Sequence, residues 1–185
     1  MRFATAGLLT VLLALVSCGP AAEDRKRLAT IRTDPLLQVA PDQAEPTDEF
    51  EVVADTEYAA FGRSSTAAGR VYDLPHPVDG PSVFALYEEY FLENGWSDIV
   101  ARCTEYDRVL FAKRQQGSYV VTARVRVRNW TVEDEPIPED PARLGVSVSS
   151  PHHRNDGRLQ IVGDPPLTDC DWSLRPREIR WVPSD

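Results

Sequence analysis

Cys18 is the residue whose chemistry the sequence marks most clearly. It follows Leu15-Val16-Ser17, at the end of an apolar run over residues 3–16 that begins just behind Arg2. A charged start, an apolar middle and a small residue before the cleavage point are the three parts of a secretory signal. The run is too short for a stable transmembrane helix, which needs about 20 apolar residues. The pattern therefore predicts an exported protein that loses residues 1–17.

The stretch Leu15-Val16-Ser17-Cys18 also resembles the lipobox of bacterial lipoproteins. In that family the cysteine is lipidated and becomes the new N-terminus, because its thiolate is the nucleophile that accepts a diacylglyceryl group. The resemblance implies a signal peptide over residues 1–17, a lipid on Cys18 and attachment to the extracytoplasmic face of the cell membrane. Two acyl chains make such an attachment stable, at about 0.8 kcal/mol per buried methylene. The alternative is an ordinary secretory signal with a coincidental cysteine.

Cys103 and Cys170 are the other two cysteines of the chain. Two cysteines in an exported protein most often pair, because that compartment favours disulfides. A bridge would close a loop of about 70 residues, for which the chain-entropy estimate is about 4 kcal/mol. Two buried free thiols are the alternative. No neighbouring residue pattern marks a histidine that would activate either thiol for catalysis.

Arg124, Arg126 and Arg128 form the second candidate site. They alternate with apolar residues over 119–128, and period-two alternation is typical of a strand with one buried and one wet face. The three guanidinium groups would then lie on the wet face, where they could bind an anion such as a polymer phosphate or carboxylate. The alternative is that they pair with carboxylates across the sheet, including the acidic loop over 133–140.

A metal site is not expected, and no other cofactor is implied. His152 and His153 are adjacent, with Asp156 nearby and His76 far off in the sequence. Adjacent residues on a strand point to opposite faces, so the two histidines cannot easily bind one ion.

Catalytic residues are not predicted either. The segment Ser64-Ser65-Thr66 lacks the Gly-x-Ser-x-Gly setting of a nucleophile elbow. Several aromatic residues could line a pocket for an apolar ligand, although their helical and strand spacing suits a core equally well. They are Tyr87, Tyr90, Phe91, Trp96, Phe111 and Tyr119.

Composition limits the partners and the number of domains. The chain has 185 residues and a net charge of −9, and an acidic protein has no overall field that would attract nucleic acid. Residues 18–48 are rich in proline, alanine and acid, which predicts a flexible tether behind the lipidated cysteine, with a possible short helix near 24–33. A single domain with an irregular C-terminal tail is predicted over residues 49–185.

One helix stands out in that domain. It begins at Pro81-Ser82 and ends before Gly95, with apolar residues at spacings of three and four. Strands are predicted on both sides of it, at 49–54, 69–74, 106–113, 119–128 and 144–149, with an edge strand possible at 159–162. The order predicts an α+β fold with one principal helix packed on an antiparallel sheet, β-β-α-β-β-β.

The segment Val83-Phe84-Ala85-Leu86-Tyr87, followed by Asn94-Gly95-Trp96, Cys103 and Phe111-Ala112-Lys113, resembles small uncharacterised lipoproteins of actinobacteria. The resemblance covers residues 50–150 and implies fold and location only. We expect a membrane-anchored binding or accessory module of the cell envelope, whose partner is an unidentified envelope protein or ligand. An envelope hydrolase of unrecognised type and a carrier of an apolar ligand are the alternatives.

Overall fold

A six-stranded antiparallel sheet forms the centre of the described part of the chain. The computed structural model describes residues 22–54, 65–103, 108–133 and 135–151, together with Cys170 and Trp172. The strand order across the sheet is β1-β2-β6-β5-β4-β3. The strands are β1 Glu45–Val52, β2 Ser65–Leu74, β3 Ser97–Cys103, β4 Arg108–Gln116, β5 Tyr119–Arg128 and β6 Ala142–Pro151. The described helices are α1 Ala22–Ile31 and α2 Gly80–Glu93, with a 3-10 helix over Pro35–Gln38.

The predicted fold class, α+β with one principal helix on a sheet in the order β-β-α-β-β-β, is wrong. The described chain is mostly sheet, with six strands, and α2 is one of two short helices. The main difference is β3, which lies at the edge of the sheet and is largely exposed or half-buried. An edge strand of this kind lacks the alternation of buried and wet residues that reveals β5, so its sequence gives no strand signal.

The helices and the 3-10 helix cover one face of the sheet. α1 contacts β2 and β6, the 3-10 helix contacts β6, and α2 contacts β3 and β5. Alternate residues of β5 and β6 point into this helix-covered face, and Val125, Val127, Leu144 and Val146 are fully buried there. Burial of this apolar surface is the main force that holds the helices on the sheet.

Local signals explain where α2 begins and ends. Pro81 occupies the first turn, where a missing backbone N–H costs nothing. Gly95 follows the helix with a φ of +73°, the left-handed conformation that glycine adopts readily. The Trp96 amide then donates to the Phe91 carbonyl oxygen at 3.0 Å, and Trp96 packs on the Phe91 ring with centroids 5.4 Å apart.

The segment predicted as a tether carries much of the described N-terminal structure. Residues 22–39, which we call the N-terminal strap, contain α1 and the 3-10 helix, and Ile31, Leu36 and Leu37 are buried in the core. The hydroxyls of Tyr72 and Tyr87 donate to backbone oxygens of the strap, at 2.7 Å and 2.6 Å. None of the described helices has the length and apolar character needed to cross a membrane.

Candidate anion-binding face

The three arginines of β5 lie on the face of the sheet opposite the helices. Val121, Ala123, Val125 and Val127 point into the core, and the residues between them point away from it. Arg124 and Arg128 are exposed and Arg126 is half-buried. Alternate residues of a strand are about 6.7 Å apart, so the three guanidinium groups form a row with that repeat.

The neighbouring strand β6 places a fourth cation and small residues beside this row. Arg128 pairs with Arg143, Arg126 with Gly145, and Arg124 with Ser147. Directly paired residues share a face of the sheet. A Cβ atom built on Gly145 would have no described atom within 4 Å, so the described residues leave open space beside Arg126. We call Arg124, Arg126, Arg128 and Arg143 the arginine face.

On its other side, the row borders apolar residues of β4. Phe111 pairs with Arg124 and Val109 pairs with Arg126. The Arg124 guanidinium carbon lies 6.0 Å from the centroid of the Phe111 ring, at the outer limit of a cation–π contact. An aromatic ring contacts the flat face of a guanidinium group, and the N–H donors of that group point outward in its plane.

A carboxylate, that of Asp73, also lies beside this region. Arg143 Nε lies 3.6 Å from Asp73 Oδ1, on the strand beyond β6. Arg124, Arg126 and Arg128 each have further interactions within the protein. A guanidinium group carries five N–H donors, so it can hold a bound anion in addition to an internal partner. The arginine face therefore combines several cations, an aromatic neighbour and open space at Gly145.

The cysteines predicted to pair lie close together. The Cα atoms of Cys103 and Cys170 are 5.4 Å apart, a separation compatible with a disulfide. Two residues further on, the Trp172 ring packs edge-on against Phe84 and Trp130, with centroids 4.9 Å and 5.0 Å away. A bridge at Cys170 would hold this indole ring over the start of α2.

The other candidate residues of the sequence analysis are not part of the arginine face. Cys18, His152, His153, Asp156 and Ser64 lie outside the described residues. His76 Nδ1 lies 3.2 Å from Thr131 Oγ1, and its Nε2 lies 3.1 Å from the Asp140 carbonyl oxygen. Among the described residues, no group of three or more His, Cys, Asp and Glu side chains could hold a metal ion.

The aromatic residues divide between core and surface layers. Tyr87 and Phe91 of α2 and Trp96, which follows the helix, are buried in the core, whereas Tyr90 and Tyr119 are half-buried. Burial raises the pKa of Tyr90, and the Asp34 carboxylate raises it further, whereas Arg114 lowers it. The two charges beside Tyr90 belong to an ion pair that the sequence does not predict.

That ion pair attaches the 3-10 helix to the sheet. The Asp34 side chain is fully buried, pairs with the Arg114 guanidinium and accepts the Leu36 amide at 3.0 Å. The Arg114 guanidinium carbon lies 4.4 Å from the centroid of the Trp96 ring. The only sequence signal for this cluster is Asp34 before Pro35, which is typical of a residue that caps a short helix.

A buried cation, Arg27, attaches α1. Arg27 Nη1 donates to Ser150 Oγ at 3.2 Å and to the Pro151 carbonyl oxygen at 3.0 Å. Its guanidinium carbon lies 4.5 Å from the centroid of the Tyr119 ring. Nothing in the sequence separates Arg27 from Arg25 and Lys26, which are exposed on the same helix. Arg27 and the Asp34–Arg114 pair thus fix the strap and are not candidates for ligand binding.

No protein-family model, no curated protein and no solved structure matches this chain.

Proposed function

We propose that the protein is a lipid-anchored binding module on the extracytoplasmic face of the cell membrane, and that its arginine face binds an anionic ligand. The observation that carries the proposal is the row Arg124, Arg126 and Arg128 on one face of β5, with Arg143 opposite Arg128. This concentration of cations is found on a chain whose net charge is −9. A row of cations on one face of a strand can contact one ligand at several points, which charges scattered over a solvent-exposed surface cannot do.

The spacing of the row favours a linear polymer of phosphate or carboxylate groups. A repeat of about 6.7 Å along β5 would let successive anionic groups of an extended chain meet successive arginines. Each guanidinium can bind a phosphate or carboxylate through two parallel N–H bonds. Gly145 and Ser147, which pair with Arg126 and Arg124, have no side chain or a small one. An extended polymer could therefore lie along the arginine row without a steric clash at these two positions. A single small anion would meet fewer of these cations and bind more weakly.

The anchor is supported by the sequence of the N-terminal region. Cys18 stands at the lipobox position behind an apolar run, and Cys103 and Cys170 are close enough for the disulfide that an exported protein favours. An anchored domain can bring an anionic polymer to the membrane without any catalytic step.

Calorimetric titration of the detergent-solubilised mature protein tests the binding site. The probes are linear polyphosphate, polyglutamate and inorganic phosphate, each at low and at physiological salt. We expect saturable binding of a polymer that is tighter than that of inorganic phosphate and weakens with salt. The double variant R124Q/R128Q, which changes two exposed side chains, should bind the polymer about ten-fold more weakly, at about 0.5–1 kcal/mol per exposed ionic contact.

The matched control is K26Q/R32Q, which removes two exposed cations from the opposite face of the sheet. It should bind the polymer as the native protein does. Equal weakening in both double variants would mean that only net charge matters and would overturn the site. So would unchanged binding in R124Q/R128Q, or no binding of any of the three probes. In each case the alternative would hold, in which these arginines pair with carboxylates of the same chain.

Cell fractionation tests the anchor separately. Cys18→Ala should move the protein from the membrane fraction to the soluble extracytoplasmic fraction, and mass spectrometry of the native N-terminal peptide should show diacylglyceryl cysteine. If the variant stays on the membrane and the native peptide carries no lipid, the protein is not anchored through Cys18.

A further inference from the structure

Helix α1 begins very close in sequence to the proposed anchor. Only residues 19–21 separate Cys18 from Ala22, the first residue of α1. A chain spans at most about 3.6 Å per residue, so Ala22 can lie no further than about 14 Å from the Cys18 Cα atom. A lipid on Cys18 would therefore hold the start of α1 within about 14 Å of the lipid headgroups.

The same helix is fixed to the domain. Ile31 is fully buried, and Arg27 reaches Ser150 and Pro151 of β6 as described above. Directly after α1, Asp34 pairs with Arg114 of β4. Because these contacts join α1 to two strands of the sheet, a membrane that holds α1 also holds the sheet.

The outward side of α1 is cationic. Arg25 and Lys26 on the helix and Arg32 just after it are exposed, and the exposed Glu23 is the one carboxylate among residues 22–33 that is not buried. Asp24, the other acidic residue there, is buried. Arg25 and Arg32 are seven positions apart, two helical turns, so they lie on the same side of the helix.

Screening makes this local charge more important than the net charge of the chain. At physiological ionic strength the Debye length is about 8 Å, so carboxylates further away do little to cancel the three cations. A basic side chain close to an anionic bilayer raises binding about five-fold, and lipid attachment keeps these side chains within reach.

We propose that the exposed side of α1, with Arg25, Lys26 and Arg32, lies on anionic lipid headgroups. The domain then stands directly on the bilayer, with the arginine face on the opposite side of the sheet and turned away from it. This inference rests on the lipid anchor of the proposed function. In this orientation the anchor has a second role, because the arginine face is then presented to ligands outside the membrane.

The chain offers a direct probe of this orientation, since Lys26 and Lys113 are its only lysines. Lys26 is on the outward side of α1, and Lys113 is on β4 among the residues that face away from the helices. Amine acetylation followed by mass spectrometry measures the reactivity of both in one sample. A maleimide lipid coupled to Cys18 of the mature chain supplies the anchor chemically, while Cys103 and Cys170 remain paired.

The coupled protein is compared on phosphatidylcholine vesicles with and without a quarter of phosphatidylglycerol. We expect the anionic vesicles to slow acetylation of Lys26 about ten-fold and to leave Lys113 within two-fold of its rate on neutral vesicles. R25Q/R32Q should restore the Lys26 rate to within about two-fold of the neutral value. Arg102→Gln, an exposed change on β3, should keep Lys26 protected.

Equal reactivity of Lys26 on both vesicles would overturn the inference, as would equal protection of both lysines or protection that R25Q/R32Q leaves intact. Because the lipid is attached chemically, this outcome does not depend on whether cells lipidate Cys18, which the Cys18→Ala fractionation decides. A membrane-bound native protein with an unprotected Lys26 would therefore be anchored without resting on α1.

Discussion

A few buried polar side chains determine how the N-terminal strap attaches to the sheet. Arg27 and Asp34 are almost completely buried, although both carry charge. A buried charge costs free energy unless it is paired and hydrogen-bonded, so each requires its partners in place. The sequence does not reveal such residues, because Arg27 is a basic residue next to two other basic residues, Arg25 and Lys26, that are exposed. The arginine row could be predicted, since strand alternation alone places it on one face.

Breaking the Asp34–Arg114 pair should destabilise the fold. Asp34→Asn removes the carboxylate and leaves the Arg114 guanidinium over Trp96 without its anion. The cost of losing one partner of a buried pair is 3–5 kcal/mol, and because Arg114 is 22% exposed we expect about 2 kcal/mol. Urea unfolding measures the change.

Asp98→Asn is the matched control. Asp98 pairs with Lys113 at 3.5 Å, but its side chain is 64% exposed, so the free energy of unfolding should change by less than about 0.5 kcal/mol. If the two variants lose equal stability, the Asp34–Arg114 pair is no more important than a surface contact.

Tyr87 should make stability fall at alkaline pH. Burial raises the pKa of its hydroxyl above the ordinary value of 10.0, and Tyr72 adds a smaller contribution in the same direction. Above pH 10 the tyrosine ionises in the unfolded chain while it stays protonated in the folded one, so ionisation lowers the free energy of the unfolded state and the stability of the fold decreases.

Tyr87→Phe lacks this titration and also the hydrogen bond to Val39. At pH 8 the native protein should be about 1 kcal/mol more stable than the variant. Between pH 8 and about pH 10.5 that difference should shrink, because only the native chain has the Tyr87 proton to lose on unfolding. Urea titrations at both pH values measure it, and a constant difference would contradict the assignment.

At the scale of elements, sequence periodicity predicts the strands and helices in which buried apolar residues recur at regular spacing. It does not predict elements without such a repeat. The strands around 119–128 and 144–149 and the helix after Pro81 have clear counterparts in β5, β6 and α2. The edge strand β3 has no regular buried face, and α1 buries an arginine and an aspartate along with Ile31. The sequence analysis includes a possible short helix near 24–33, close to α1, but it contains no strand that corresponds to β3.

Two glycines on neighbouring strands of the sheet should respond oppositely to alanine. A Cβ on Gly69 would meet the Phe50 ring and lie 2.8 Å from the Val146 carbonyl oxygen, whereas a Cβ on Gly145 would meet no described atom within 4 Å. Gly69→Ala should therefore cost about 1–3 kcal/mol through overpacking. Gly145→Ala should be neutral or stabilise by about 0.5 kcal/mol, because glycine is unfavourable in a strand.

Thermal and urea unfolding of the two variants measure this contrast. Equal destabilisation would mean that the surface beside Arg126 is filled, which would also remove the room proposed for a bound polymer. Loss of stability in Gly69→Ala alone would support both the close approach of Phe50 and the open space at Gly145.

At the scale of the whole molecule, the strap changes how the domain relates to its anchor. Composition predicts a flexible tether over residues 18–48, because the segment is rich in proline, alanine and acid. In the structure residues 22–39 cross the helix-covered face and contribute Ile31, Leu36 and Leu37 to the core. A few apolar residues among many polar ones are enough for this, since backbone oxygens of the strap accept hydrogen bonds from Tyr72 and Tyr87.

Truncation distinguishes a tether from a part of the domain. A chain that begins at Ala40 loses the three buried apolar side chains of the strap, at about 1.5–3 kcal/mol each, and also leaves Arg114 unpaired. The loss exceeds about 5 kcal/mol, and the whole stability of a typical domain is about 5–15 kcal/mol. We therefore expect the fragment over residues 40–185 to lack a cooperative urea transition and native near-ultraviolet circular dichroism. A chain that begins at Ala22 keeps every described contact of the strap and should unfold like the mature protein, so a fragment from Ala40 that is equally stable would make the strap a tether after all.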